Sequence, residues 1–297
     1  MHYWQSLLLL LAWLFVVTAV GWRIAGWCGF RLRPYARAYL SPALGLAAFT
    51  LLATAAGWLI GARGFIAAPV TLLLTGLALL LPGKSKLPRL LCGGTLLAGA
   101  IISLPLFLPL IECGGYNVFN DTFTYLVHAQ WLQSHAFTET AHPAPFSPAY
   151  SQVALYQALG LRMGSSFFLA WVQAASPFAW SVEVYPATAA LFLTVGAIAL
   201  AGLAQTLASG PRLVAWMWAI TAGTALSGFS YGAIDGFLPQ TCGLAFVPAV
   251  LCAVGEFRPG LRVRATLRSL LPLALLVAAL GFAYSELMPF VVASLGG

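Results

Sequence analysis

Apolar residues along this chain do not alternate with polar ones; they run in blocks, at 3–20, 41–60, 65–82, 90–111, 184–208, 213–230, 238–255 and 270–290. Each block approaches the roughly 20 residues that a helix needs to cross a hydrocarbon core. No block has the period of two that a barrel strand requires. Backbone amides facing lipid must find their partners within the segment, so the blocks are predicted to be helices. The predicted fold is an all-α, polytopic transmembrane helical bundle of about eight spans. The pattern breaks between Ile111 and Met163, in ECGGYNVFNDTFTYLVHAQWLQSHAFTETAHPAPFSPAYSQVALYQALGLR. Inside that stretch Phe123, Leu126, Val127 and Trp131 recur at helical spacing after Asn120-Asp121, a pair able to cap a helix. A second short helix is expected from Ser151 to Leu161, after the proline-rich HPAPFSP. Both are expected to lie flat at the membrane interface with their aromatic rings at headgroup depth.

Composition agrees with a membrane chain: 61% of residues are hydrophobic and 7% charged, with a mean hydropathy of +0.91, whereas soluble domains carry about 25% charged residues. The net charge of +7 does not point to nucleic acid, because the cations sit in short clusters between apolar runs, the bias of cytoplasmic loops. The N-terminus, MHYWQSLLLLLAWLFVVTAV, lacks a positive leader region and a small-residue cleavage site; its cations follow it at Arg23, Arg31, Arg33 and Arg37. It reads as a retained helix entering with its N-terminus outside. The five cysteines are scattered and odd in number, forming neither a disulfide framework nor a zinc pattern; they read as packing residues.

Charge also decides the status of Ser165–Trp180, SSFFLAWVQAASPFAW. If it spanned, the arginine-rich 256–268 stretch would fall on the side opposite the basic loops 22–40 and 83–89. If it lies at the interface, all the basic loops share one side. The second arrangement predicts a loop, 112–183, on the outside, together with the turn 230–237 and the segment 284–289. Residues 1–89 then form an N-terminal three-helix membrane segment, and 90–297 a second region carrying the outside loop. The location expected is a cytoplasmic (inner) membrane.

Acids are scarce, seven in all, and this topology places Asp121, Asp235 and Glu286 on one face. Asp121, on the first turn of an interfacial helix, either accepts a proton from an acceptor hydroxyl or binds a metal that bridges to phosphate, or simply caps the helix. Asp235, in YGAIDGF, sits among glycines at the junction of two spans, where an acid near a membrane tends to be functional; the plain alternative is a turn aspartate. Glu286 lies in an apolar run, where an unpaired carboxylate at the bilayer centre would cost about 2.5 to 3.5 kcal/mol, so it is expected near the outer surface or paired. Arg162, the cation of the long loop, could grip a phosphate bidentately or snorkel to headgroups. His128, His135 and His142 match no zinc spacing. His128 is retained, with Arg162 and Glu286, as a candidate for binding substrate or donor phosphate. Glu183 is given no role beyond favouring a helix N-terminus.

The order of these pieces resembles the GT-C superfamily of integral-membrane glycosyltransferases, which use polyprenyl-phosphate sugars. A span ends; an outside loop brings an acid in NDTFTYLVHAQWLQSHAF; the proline-rich HPAPFSP follows; an aromatic helix, SSFFLAWVQAASPFAW, precedes the long span VYPATAALFLTVGAIALAGLAQTL; and a later span begins after the aspartate of YGAIDGF. The match covers about residues 90–255. The resemblance implies a base or metal contact at Asp121 and a metal or donor contact at Asp235. A divalent ion, Mg or Mn, is the implied cofactor. The implied partners are a lipid-linked sugar donor, membrane lipids and a glycan, lipid or protein acceptor, with no nucleic acid. The chain stops at VVASLGG after fewer spans than the family usually has, as expected of an N-terminal fragment or of a chain without the acceptor-binding part. Two other classes fit the same pattern: a polysaccharide or lipid transporter, and a non-catalytic or polymerase-type subunit of cell-envelope glycan assembly.

Overall fold

A computed structural model describes residues 2–27, 34–80, 88–116, 121–142, 149–159, 163–208, 211–225, 228–256 and 263–296. These residues form α1 (Tyr3–Trp27), α2 (Pro34–Leu59), α3 (Gly64–Leu80), α4 (Arg89–Glu112), α5 (Thr122–Trp131), α6 (Ala149–Leu159), α7 (Gly164–Ala174), α8 (Ser181–Ala208), α9 (Arg212–Thr224), α10 (Gly228–Ile234), α11 (Leu238–Glu256), α12 (Val263–Tyr284), a 3-10 turn at Ser285–Leu287, and α13 (Met288–Gly296). There is no strand among the described residues.

Among the described residues six segments are long and apolar enough to cross a membrane: Tyr3–Trp27, Ala36–Leu59, Leu91–Glu112, Ser181–Ala208, Leu238–Glu256 and Leu270–Ser294. The other two apolar blocks came out differently. Block 65–82 is the 17-residue α3, at the short limit for a crossing. Block 213–230 is divided: α9 ends at Thr224, Ala225 turns extended (φ −69°, ψ 148°), and α10 starts at Gly228. The interruption falls in AGTALSGFS, where glycine and serine lower helix propensity.

Small residues draw the bundle together. α1 and α2 pack backbone to backbone through a reciprocal pair: a Cβ on Gly21 would lie 1.8 Å from the Ser41 carbonyl oxygen, and one on Gly45 would lie 1.8 Å from that of Val17. Close approach through small residues compensates for the missing hydrophobic drive between helices in lipid. α8 is the hub, buried almost from end to end, and it packs against α11, α2, α9, α1 and α4. On the periphery, large apolar side chains such as Leu72, Leu73 and Leu80 of α3 and Leu97 of α4 are exposed, as lipid-facing positions require.

The aromatic segment 165–180 is short, as expected, but its rings face protein and not lipid. It does not span, since α7 is 11 residues long, yet every residue from Gly164 to Gln173 is buried. Phe167, Phe168 and Trp171 are 0–1% exposed, packed inside the bundle. The Phe167 ring sits over Gly57 of α2, and Trp171 Nε1 donates to Thr71 Oγ1 of α3 at 3.0 Å. α5 departs in the same sense. Its buried face is Thr122, Tyr125, His128, Ala129 and Trp131, and Phe123, expected on the apolar stripe, is 53% exposed. A bundle that already contains a buried aromatic helix offers α5 a protein surface, and burial against it replaces burial in headgroups.

Candidate functional site

Hydrogen bonds define one end of the bundle. The turn joining α2 to α3 holds the segment after α5: Ala62 N–H donates to the Leu132 carbonyl at 2.7 Å, Phe137 N–H to the Gly57 carbonyl at 2.8 Å, and Thr138 Oγ1 to the Trp58 carbonyl at 3.1 Å. A glutamine set ties α5 to α7: Gln133 Nε2 donates to the Ala170 carbonyl at 3.0 Å, and Gln173 Nε2 to Gln130 Oε1 at 3.1 Å. Ser181 Oγ, opening α8, donates to the Leu126 carbonyl at 2.9 Å. At the opposite end, Arg37 donates to the Trp22 carbonyl at 2.8 Å with its guanidinium 3.8 Å from the Trp22 ring centre, and Arg23 donates to the Ala78 carbonyl. The long polar segment and the described arginines of α1 and α2 therefore sit at opposite ends.

Asp121 occupies the residue before α5, and its side chain makes no capping hydrogen bond to the helix. The carboxylate is exposed, so the capping role does not account for it. Thr122, fully buried, donates through Oγ1 to the Gly236 carbonyl at 3.3 Å. Before Asp121, the Tyr116 hydroxyl donates to the Ala233 carbonyl at 3.1 Å, and its ring centre lies 5.5 Å from that of Tyr185 at the start of α8. Burial, with Tyr185 alongside, pushes the Tyr116 phenol well above its ordinary value; it stays a neutral donor.

Both bonds end on the turn between α10 and α11, which carries Asp235. Gly236 shapes that turn with φ +85°, a conformation in which a Cβ would be strained. Asp235 N–H donates to the Tyr231 carbonyl at 2.9 Å. Its carboxylate accepts from the Tyr231 hydroxyl. Asp121 and Asp235 thus each lie one residue from the same 3.3 Å contact, although 114 positions separate Thr122 from Gly236 in the chain.

The remaining candidates divide. Glu286 is exposed on the 3-10 turn after α12. A Cβ on Gly243 would lie 2.6 Å from Tyr284 Cβ and 3.1 Å from Leu287, so this turn packs near the start of α11, at the same end as Asp235. His128 points inward, 1% exposed, with its ring centre 4.7 Å from that of Tyr156 and 6.5 Å from that of Phe137. Neither ring nitrogen has a hydrogen-bond partner among the described residues. Desolvation lowers its pKa to about 4. Arg162 lies outside the described residues. Sequence reasoning passed over Thr122, Tyr116 and Tyr231, which look like ordinary loop and helix residues until the fold brings the two acid-bearing turns together. It also passed over Arg63, a cation at the acidic end that donates to the Ile60 carbonyl at 3.0 Å, near the C-terminus of α5 and so about 15 Å along that helix from Asp121.

Among the described residues no three His, Cys, Asp or Glu side chains cluster as a metal cage. Two carboxylates from neighbouring turns are nonetheless a donor set suited to Mg or Mn, hard cations that keep several waters and take one or two carboxylates together with substrate phosphates. Chemically, the end offers an uncapped exposed carboxylate, a second carboxylate with a phenol donor, and buried hydroxyls that fix the backbone between them. Comparison with protein-family models, with curated proteins and with solved structures finds no match to this chain.

Proposed function

We propose that this protein is a membrane glycosyltransferase that moves a sugar from a polyprenyl-phosphate donor to an acceptor at the outer face of the cytoplasmic membrane. The observation that carries the reading is the uncapped, exposed Asp121 carboxylate on a helix start hydrogen-bonded to the Asp235 turn. In the proposed reaction Asp121 takes the proton of an acceptor hydroxyl as that oxygen bonds to the anomeric carbon, and the bond from that carbon to the donor phosphate oxygen breaks. The phosphate departs on its lipid with the electron pair. In the other form of the reading Asp121 shares a divalent ion with Asp235, which when bound would neutralise charge on the leaving phosphate. Arg162 and Glu286 are assigned to donor and substrate binding on the strength of sequence.

The same reading assigns the compartments: the acid-bearing end outside, the Arg23 and Arg37 end inside, with the N-terminus outside. It also counts α3 and the broken α9–α10 pair as crossings, for about eight in all. The positive-inside bias supports this orientation, since Arg23, Arg31, Arg33, Arg37, Lys84, Lys86 and the arginines of 256–268 all belong to connections on one side.

The test is transfer of radiolabelled sugar in proteoliposomes, using a panel of polyprenyl-phosphate sugars and membrane-extract acceptors. Asp121→Asn is expected to lower transfer at least 100-fold, within the 10²–10⁴ range for a lost general base, while inserting and unfolding like the parent. Full activity in that variant would overturn the mechanism.

A further inference from the structure

We propose that Tyr116 and Thr122 are positioning residues: together they form a latch that clamps the Asp121 helix start to the Asp235 turn and sets the mutual geometry of the two carboxylates. The inference deepens the transferase reading and rests on it for its activity arm. The observations are geometric. Two side-chain donors, one on each side of Asp121, reach across to the α10–α11 turn: the Tyr116 hydroxyl to the Ala233 carbonyl at 3.1 Å and Thr122 Oγ1 to the Gly236 carbonyl at 3.3 Å. The two accepting carbonyls bracket Asp235, as the two donors bracket Asp121. Thr122 is 0% exposed and Tyr185, beside both donors, is 1% exposed, so the Thr122 bond is shielded from competing water and holds its geometry, and the Tyr116 bond is partly shielded.

The carboxylates themselves face outward, Asp121 exposed and Asp235 half-buried. The supporting bonds are more buried than the functional atoms, the arrangement that preorganises a site without occupying it. The α10–α11 turn is held internally by Phe237 N–H to the Gly232 carbonyl at 2.8 Å and Leu238 N–H to the Gly236 carbonyl at 3.0 Å, and α10 packs on α8, α9 and α11; the Tyr116 and Thr122 bonds are what tie it to the Asp121 helix start. α10 is seven residues long and follows the break after α9, so a short element carries the Asp235 turn. A misplacement of about 1 Å between two groups that share one substrate can cost about 10²-fold in rate, and the latch is built at the position where such slack would arise.

The experiment uses the full chain in nanodiscs with nitroxide labels at Phe123→Cys and Ile234→Cys, both surface positions outside the proposed chemistry, on a background in which the native cysteines are replaced. Pulsed electron-electron spin resonance reads the distance between the acid-bearing turns. The expected result is one narrow distance distribution in the latched protein, and a broadened or multimodal one in Tyr116→Phe/Thr122→Val. Thr122→Ser, which keeps the hydroxyl, is expected to restore the narrow distribution when Tyr116 is intact. In the transfer assay the double variant is expected to lose at least 10-fold in kcat with donor KM unchanged within 2-fold, and Thr122→Ser to recover most of it. An unchanged distance distribution in the double variant overturns the latch. A broadened distribution with unchanged kcat overturns the positioning role. A parent protein that transfers no sugar overturns the transferase reading alone, because the distance measurement still decides the latch.

Discussion

His128 was a candidate because a histidine in a polar loop is a common ligand or base, yet folding places it in an aromatic pocket with Tyr156 and Phe137. Its pKa of about 4 against an ordinary 6.5 makes a pH-dependent contribution whose sign is clear. The unfolded chain binds a proton between pH 6.5 and 4 that the folded chain refuses, so stability is full above pH 6.5 and declines as pH falls through that window. At about 1.4 kcal/mol per pK unit, the decline approaches about 3 kcal/mol by pH 4. Thermal unfolding in micelles is expected to show this slope in the parent and a shallower one in His128→Phe, which keeps the ring and removes the titration; equal slopes would refute the assignment. Asp121 illustrates the reverse case. Asn120-Asp121 reads as a helix cap, and Asp121 does precede α5, but its carboxylate makes no cap bond. Residue type and spacing cannot tell a capping aspartate from a free one, because the choice lies in a single side-chain rotamer.

At the scale of elements, helix existence was largely legible in the hydrophobic blocks, and helix environment was not. Seven of the eight blocks became single helices or, for 270–290, part of the helical run α12–α13. An apolar helix packed in protein and one packed in lipid share the same composition, so α7 could be recognised as too short to span but not as fully buried. Likewise the periodicity of α5 predicted an apolar stripe on Phe123, Leu126, Val127 and Trp131, whereas Tyr125, His128 and Ala129 turned inward with Trp131. Once neighbours supply polar partners, such as Gln130 and Gln133 of α5 bonded to α7, the buried face need not be the most hydrophobic one. The glycine pair of α1 and α2 gives the clearest prediction at this scale. Gly45→Leu is expected to force the two backbones apart and destabilise the protein by about 1 to 3 kcal/mol, the usual cost of overpacking. Gly76→Leu, where a Cβ meets nothing within 4 Å, should be nearly neutral. A lower melting temperature for Gly45→Leu alone is the outcome to look for, and equal shifts in both would argue against the tight α1–α2 seam.

For the whole molecule, the main result is the separation of the bundle's two ends. Cysteine substitution at Thr138, bonded to the α2–α3 turn, and at Leu207, exposed near the end of α8, tests the proposed orientation. A membrane-impermeant thiol reagent applied to intact cells is expected to label the first and spare the second; the opposite pattern would invert the topology. By itself the sequence determined that the chain is helical and membrane-spanning, because hydropathy in blocks is a local property and the satisfaction of backbone amides in lipid leaves helices as its solution. Charge bias and span counting, which need no coordinates, also led to the expectation that Asp121, Asp235 and Glu286 share one end. Only the tertiary structure decided that Tyr116 and Thr122 reach the Asp235 turn, that α7 is interior and that His128 faces aromatic rings. Those facts depend on contacts between residues as much as 117 positions apart, and no periodicity or spacing along one chain encodes which distant turns meet.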